Sequence, residues 1–173
     1  TYLASVLVGR ERELAAVLHA LAGRRAVLIA GPAGIGKSAL AEAALDGVAA
    51  RVAVALPSRS DVAYWPLMAA FRQAACLGEH REVARRARSE MAPDEVLVVE
   101  DVQWADPATI AVLRSLAGDI GLVCTSQGSN AAVGSLRSTV SEVGGEVIEL
   151  GPLAPDELAA MLHQSAPELL PGE

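Results

Sequence analysis

Residues 25–38 have the sequence RAVLIAGPAGIGKS, in which a short apolar run leads into a loop of glycines, one lysine and one serine. The apolar run does not alternate with polar residues, which is typical of a strand buried on both faces of a parallel sheet. The loop matches G-x-x-x-x-G-K-[ST] at every fixed position, and an alanine-rich helical segment follows it to about Asp46. Strand, loop and helix in this order predict a phosphate-binding loop, or P-loop.

The chemistry of this loop suits a nucleoside triphosphate with magnesium. Its glycines allow the backbone to approach a ligand closely, and the loop amides would point at the phosphates. Lys37 is the only lysine among the 14 basic residues, and we expect its ammonium to reach the β- and γ-phosphates. The Ser38 hydroxyl is expected to bind Mg²⁺. The predicted binding residues are Gly31, Pro32, Ala33, Gly34, Ile35, Gly36, Lys37, Ser38 and Ala39.

Apolar runs alternate with periodic, helix-like segments along the whole chain, which predicts an α/β protein with a doubly wound parallel sheet in three layers. Ligands of such sheets bind at the carboxyl ends of the strands. The segment 64–91 is expected to be helical in two pieces with a break near Gly78. Further strands are predicted at 51–56, 96–100, 121–125 and 146–150, and further helices at 11–22, 107–117, 131–142 and from Pro155 onward.

Two adjacent carboxylates follow the third predicted strand, in VLVVED at 96–101. A P-loop enzyme needs an acidic group there to hold the metal or to polarise the attacking water. We predict that Glu100 and Asp101 divide metal contact and water activation between them, and the sequence leaves the division open. Lys37, Glu100 and Asp101 are the predicted catalytic residues, and Ser38, Glu100 and Asp101 the predicted metal ligands. Two later residues have structural interpretations, Trp104 as core packing beside the site and Asp106 as a helix N-cap.

Composition excludes several classes of protein. The formal net charge of −7 argues against direct binding of nucleic acid by this segment, and the basic run 81–88 is interpreted as a solvated helix face. Cys76 and Cys124 have no metal-ligand spacing and suit free core thiols in a reducing compartment. No run is long enough to span a membrane, and no signal-peptide pattern is present, so we expect a cytoplasmic protein.

Several stretches resemble the ATPase module of the STAND class, an AAA-like P-loop ATPase, and in particular that of the large ATP-binding LuxR-type transcriptional regulators of bacteria. The stretches, in their family order, are VLVGRERELAAVLHAL at 6–21, VLIAGPAGIGKSALA at 27–41, YWPLMAAFR at 64–72, VLVVEDVQWADPAT at 96–109 and IELGPLAPDELAAML at 148–162. The resemblance implies an ASCE-type P-loop fold with strand order 5-1-4-3-2. It also implies that Val8, Gly9 and Arg10 lie near the adenine, whereas the sequence by itself would make Arg10 a surface charge.

The resemblance implies a domain division and partners as well. Residues 1–173 would form one P-loop ATPase domain, with an adenine-proximal segment at 1–24, a nucleotide-binding core at 25–154 and the start of a truncated lid at 155–173. ATP and ADP would be the ligands, and nucleotide exchange would allow self-association. Contact with DNA would belong to a C-terminal helix-turn-helix that this segment lacks, so the chain would be an excised domain or a minimal protein.

One residue departs from the family pattern. Relatives usually carry an arginine after the fourth strand that senses the γ-phosphate, and this chain has Gln127 there, in VCTSQGSN. Glutamine can donate a hydrogen bond to a phosphate but carries no charge, so we expect weak hydrolysis. The leading hypothesis is a regulatory switch that binds Mg-ATP and hydrolyses it slowly. The alternatives are a module that binds nucleotide without hydrolysis and a small-molecule kinase, against which GRERE and WADPAT argue.

Overall fold

The computed structural model describes residues 9–72 and 76–153, which form a five-stranded parallel sheet with helices on both faces. The strands are β1 (Ala26–Ala30), β2 (Ala50–Val54), β3 (Val96–Glu100), β4 (Gly121–Ser126) and β5 (Glu146–Glu149). The helices are α1 (Glu11–Ala22), α2 (Lys37–Ala44), α3 (Trp65–Ala70), α4 (His80–Glu90), α5 (Pro107–Leu116) and α6 (Ala131–Glu142). Two short 3₁₀ turns lie at Pro57–Arg59 and Val102–Trp104.

The strand order is β2-β3-β4-β1-β5, and every pairing is parallel. The predicted three-layer α/β/α P-loop NTPase fold with order 5-1-4-3-2 is therefore confirmed. β1 lies inside the sheet, between β4 and β5, and the P-loop follows its carboxyl end. A ligand site is expected at this position in an open α/β sheet.

Two apolar clusters, one on each face of the sheet, hold the layers together. Alternate side chains of the central strands point to opposite faces, so Leu28 and Leu97 belong to one cluster and Ile29 and Val98 to the other. The first cluster packs under α3 to α6, and the second packs under α1 and α2. β1 and β4 are buried along their whole length, which explains why their sequences carry no polar alternation.

The structure corrects two details of the sequence prediction. β2 ends at Val54 and not at residue 56, because Pro57 starts a 3₁₀ turn and β2 is an edge strand with Val52 exposed. In the segment 64–91, the helices α3 and α4 are short, and the described residues between them are not α-helical. The helix predicted from Pro155 lies outside the described residues. Over 9–72 and 76–153, no helix has the length and apolar character to cross a bilayer.

Candidate functional site

The P-loop joins the end of β1 to the first turn of α2. Gly31 is the first residue after the strand, and a Cβ atom there would lie 2.7 Å from the Leu150 carbonyl oxygen, so only glycine lets the loop pack against β5. Gly36 has φ +100° and immediately precedes α2, in a left-handed conformation that a side chain would strain. A Cβ at Gly36 would meet no atom within 4 Å, which shows that the loop faces open space.

Lys37 folds back over the loop. Its side chain is only 6 % exposed, and its Nζ donates hydrogen bonds to the carbonyl oxygens of Gly31 at 3.1 Å and Pro32 at 2.8 Å. An ammonium has three donors, so one remains to point toward a ligand in front of the loop. Burial lowers the pKa of Lys37, and the negative charge of Asp101 partly opposes this effect.

The side chains of Ser38 and Glu100 bring two oxygen atoms together at the carboxyl end of the sheet. The Ser38 Oγ, in the first turn of α2, donates to Glu100 Oε2 at the end of β3 over 3.3 Å. A hydroxyl and a carboxylate are hard oxygen ligands that suit Mg²⁺, which keeps several waters and takes only one or two protein ligands. Within the described residues, no cluster of three His, Cys, Asp or Glu could hold a metal unaided. The donor set fits a magnesium ion that is also bound by phosphates.

Asp101 is hydrogen-bonded to residues at the end of β4. Its backbone is left-handed, with φ +56°, and its N–H donates to Thr125 Oγ1 at 3.0 Å. Its Oδ1 accepts two amide hydrogen bonds, from Gln103 Nε2 at 3.1 Å and from Gln127 Nε2 at 3.2 Å. The two adjacent carboxylates thus face different partners, Glu100 toward Ser38 and Asp101 toward Gln127.

A cavity of about 250 Å³ lies in front of the loop, where the ends of β1, β3 and β4 meet. Pockets for whole drug-sized ligands are usually about 300–1,000 Å³, so this cavity suits the phosphate chain, with the base and ribose beyond it. Ala33 is exposed on the loop, and Ile35 packs inward against the cluster under α1 and α2. The cavity is lined by Gly34, Gly36, Lys37, Ser38, Ala39, Asp101 and Gln127.

Arg10 connects the start of α1 to the chain just after β5. It is only 8 % exposed, which excludes a simple surface charge, and its guanidinium donates to Glu13 and to the Gly151 carbonyl. Gly151 follows Leu150, the residue against which Gly31 packs, so Arg10 lies close to the base of the P-loop. The Gly9 N–H donates to the Glu11 carboxylate. Val8 lies outside the described residues.

Trp104 and Asp106 lie in opposite environments, one exposed and the other buried. Trp104 is 44 % exposed and does not pack in the core, contrary to the sequence-based interpretation, because the 3₁₀ turn directs it outward. Asp106 caps α5 as expected and is buried at 3 % exposure. Its carboxylate accepts from the Thr109 N–H at 2.9 Å, the Thr109 hydroxyl, and the Tyr64 N–H at 3.1 Å.

Gln103 is the residue that the sequence analysis missed. Its side chain contacts both Asp101 and Gln127, and its backbone oxygen accepts from Asn130 Nδ2 at 3.0 Å. The only signal in the sequence is its position two residues after Asp101, and spacing alone does not reveal that a 3₁₀ turn brings the amide back to the carboxylate.

Comparison with known families gives one match. A family model described as AAA ATPase domain matches residues 6–95, just over half of the 173-residue chain. The matched stretch includes α1, the P-loop and α2 to α4. A search of curated protein sequences finds no significant match.

Solved structures with the same fold include three archaeal proteins. The Aeropyrum pernix Orc1 protein, solved in complex with DNA, is 22 % identical with a TM-score of 0.61 over 97 % of this chain and 52 % of its own. A STAND protein with a tetratricopeptide repeat sensor from Pyrococcus horikoshii is 18 % identical, with a TM-score of 0.57 over 98 % of this chain and 28 % of its own. A Walker-type ATPase of Pyrococcus abyssi is 14 % identical, with a TM-score of 0.60 over 95 % and 60 %. The chain therefore spans about half of Orc1 and a smaller part of the STAND protein. At these low sequence identities, the TM-scores show a shared fold and no more.

Proposed function

The chain belongs to the AAA ATPase domain family, and on that premise we propose that it binds Mg-ATP as a regulatory switch and hydrolyses it slowly. The observation that carries the proposal is that the candidate site residues line one shared cavity. These are the P-loop with Lys37 and Ser38, then Asp101 and Gln127, and Glu100 is hydrogen-bonded to Ser38. Apart from Gln127, which is neutral, each of these residues has the chemistry that its position in a triphosphate site requires.

Binding would come from the loop and its lysine. The backbone amides between Gly34 and Ala39 and the positive end of α2 would surround the β- and γ-phosphates. Lys37 is already oriented by two loop carbonyls, so little side-chain freedom remains to be lost when its third N–H meets a phosphate oxygen. Ser38 and Glu100 would hold Mg²⁺, which neutralises charge on the phosphate oxygens when it is bound.

Hydrolysis would use the carboxylate on the other side of the cavity. Both amides reach Oδ1 of Asp101, which leaves Oδ2 to orient a water in line with the γ-phosphorus. The water oxygen forms a bond to phosphorus as the bond to the β–γ bridging oxygen breaks, and ADP leaves with that electron pair. Asp101 accepts a hydrogen bond from the water, whose proton passes to the released phosphate.

Slow turnover follows from Gln127. A neutral amide stabilises the developing charge less than a guanidinium would, and loss of one stabilising group costs about a hundredfold or more in rate. Gln127 also hydrogen-bonds Asp101, so it must change partner before it can reach a phosphate. This contact gives specific support to the second candidate, a module that binds ATP without hydrolysing it.

The regulatory setting is also part of the proposal. The resemblance to LuxR-type regulators suggests that the nucleotide state of this domain controls self-association, while DNA contact belongs elsewhere in a larger protein. The contact between Arg10 and Gly151 supports the proposed division, because it ties the adenine-proximal segment 1–24 to the last described residues of the core 25–154.

A single-turnover assay with γ-labelled ATP tests the enzymatic part. We expect slow phosphate release that Lys37→Ala abolishes and that Arg85→Ala, an exposed position on α4 remote from the P-loop, leaves unchanged. Tight binding with no release would favour the non-hydrolysing module. ATP loss that requires a metabolite and yields its phosphorylated form would identify a kinase and overturn the proposal.

A further inference from the structure

Gln103 closes a ring of hydrogen bonds with the two site residues around it. Its Nε2 donates to Asp101 Oδ1 at 3.1 Å, and its Oε1 accepts from the Gln127 N–H at 2.9 Å. Gln127 then donates through its own Nε2 to the same Asp101 oxygen at 3.2 Å. The side chain of Gln103 therefore bridges the end of β3 to the end of β4.

The orientation of this amide follows from chemistry and does not depend on distinguishing its nitrogen from its oxygen. A backbone N–H can only donate, so the atom that faces the Gln127 N–H must be the Gln103 oxygen. The Gln103 nitrogen then necessarily faces the Asp101 carboxylate, which can only accept when ionised. Both halves of the amide are matched, and a rotation of the group would break both hydrogen bonds.

The turn that carries Gln103 is itself fixed. Asn130 Nδ2 donates to the Gln103 carbonyl, and Asn130 also caps α6 by accepting from the Val133 N–H at 2.9 Å. The Trp104 N–H donates to the Asp101 carbonyl at 2.9 Å. The Gln103 side-chain amide therefore projects from a turn whose backbone is fixed by hydrogen bonds, so the amide can hold its partners in place.

We propose that Gln103 is a positioning residue that joins Asp101 to Gln127, so that the Asp101 carboxylate keeps one orientation toward the attacking water. The inference rests on the proposed function, in which Asp101 orients the attacking water. It adds a role that no motif assigns to this position. Since Gln127 donates to Asp101 directly as well, Gln103 supplies the second restraint that prevents the carboxylate from rotating about its Cβ–Cγ bond.

Two substitutions separate positioning from simple attachment of the turn. Gln103→Met keeps the length of the side chain and removes both hydrogen bonds. Gln103→Glu keeps an oxygen acceptor for the Gln127 N–H but sets a second carboxylate against Asp101. If Gln103 only attached the turn to β4, Gln103→Glu would be the milder change. If it positions Asp101, Gln103→Glu is the more damaging change, because two carboxylates repel each other.

The test measures ATP affinity by calorimetry and single-turnover hydrolysis for the full chain, with Arg85→Ala as the matched control. We expect Gln103→Met to slow the chemical step about tenfold and Gln103→Glu more, with ATP affinity within about threefold of wild type. A wild-type rate in Gln103→Glu, or equal losses of affinity and rate in both variants, would overturn the inference while leaving the proposed function intact.

A second measurement needs no nucleotide. In ¹⁵N spectra, Asp101→Ala removes the common acceptor of the Gln103 and Gln127 side-chain amides, so both amide resonances should shift and exchange faster with solvent. If neither moves, the bridge does not exist and the inference fails. A wild type that binds ATP without turnover contradicts only the proposed hydrolysis, and the inference is then decided by these spectra. A wild type that binds no ATP contradicts both proposals.

Discussion

Replacing Asp106 by alanine should lower the free energy of unfolding by about 3 kcal/mol, although the residue contributes no atom to the cavity. Its carboxylate is buried and accepts hydrogen bonds from the Thr109 N–H, the Thr109 hydroxyl and the Tyr64 N–H. Loss of the N-cap of α5 costs about 1 kcal/mol. A buried Tyr64 N–H left without its acceptor costs about 1–3 kcal/mol more.

Urea denaturation followed by circular dichroism measures this loss, and a slope of about 2 kcal/mol per molar urea converts it to a midpoint lowered by about 1.5 M. Asp106→Asn keeps the acceptor for the Thr109 N–H, so its loss of stability should be smaller than that of Asp106→Ala. Some loss remains, because the new amide N–H₂ group cannot accept from the Tyr64 N–H. Asp119→Ala is the control, since it removes an exposed ion pair with Arg88 that contributes about 1 kcal/mol or less. If Asp106→Ala and Asp119→Ala are equally stable, the account of this buried cap is wrong.

Two further predictions concern magnesium and pH. We expect Mg²⁺ to raise ATP affinity and Ser38→Ala to remove most of this gain, which calorimetry with Mg²⁺ and with EDTA measures. An undiminished Mg²⁺ effect in Ser38→Ala would exclude Ser38 as a ligand. Burial raises the pKa of Cys124 to about 12 from an ordinary value of 9.0, so its thiol stabilises the fold below pH 9 and this contribution is lost as pH rises toward 12. Denaturation between pH 8.5 and 11 should show a free energy of unfolding that falls more steeply above pH 9 in the wild type than in Cys124→Ala, by about 1.4 kcal/mol per pH unit. Identical slopes in the two proteins would contradict the assignment.

The fold could be predicted from the sequence because its strongest signals are local. β1 and β4 are buried along their length and mostly apolar, and each is followed by a loop and a periodic helix. This alternation predicts parallel strands joined by helical crossovers. The end of β2 was less predictable, because the apolar residues Ala55 and Leu56 continue the run beyond Val54, where the strand ends.

The candidate site was likewise predictable only in part. The P-loop was predictable residue by residue, since its motif fixes the chemistry and the backbone together. Which of Glu100 and Asp101 faces Ser38 was not predictable, because it depends on the left-handed conformation of Asp101 and on partners at the end of β4. The outward direction of Trp104 and the bridge made by Gln103 arise from the same 3₁₀ turn, which leaves no periodic signal.

The most direct test of the central claim is calorimetric titration of Mg-ATP into the wild-type chain and into Lys37→Ala, with Arg85→Ala as the control. Lys37 presents its one remaining N–H to the phosphates, and a charge-assisted contact of this kind corresponds to a loss of at least about tenfold in affinity. We predict saturable binding of one ATP by the wild type and by Arg85→Ala, and weak or undetectable binding by Lys37→Ala. Equal affinity in all three proteins, or no binding by the wild type, would contradict the claim.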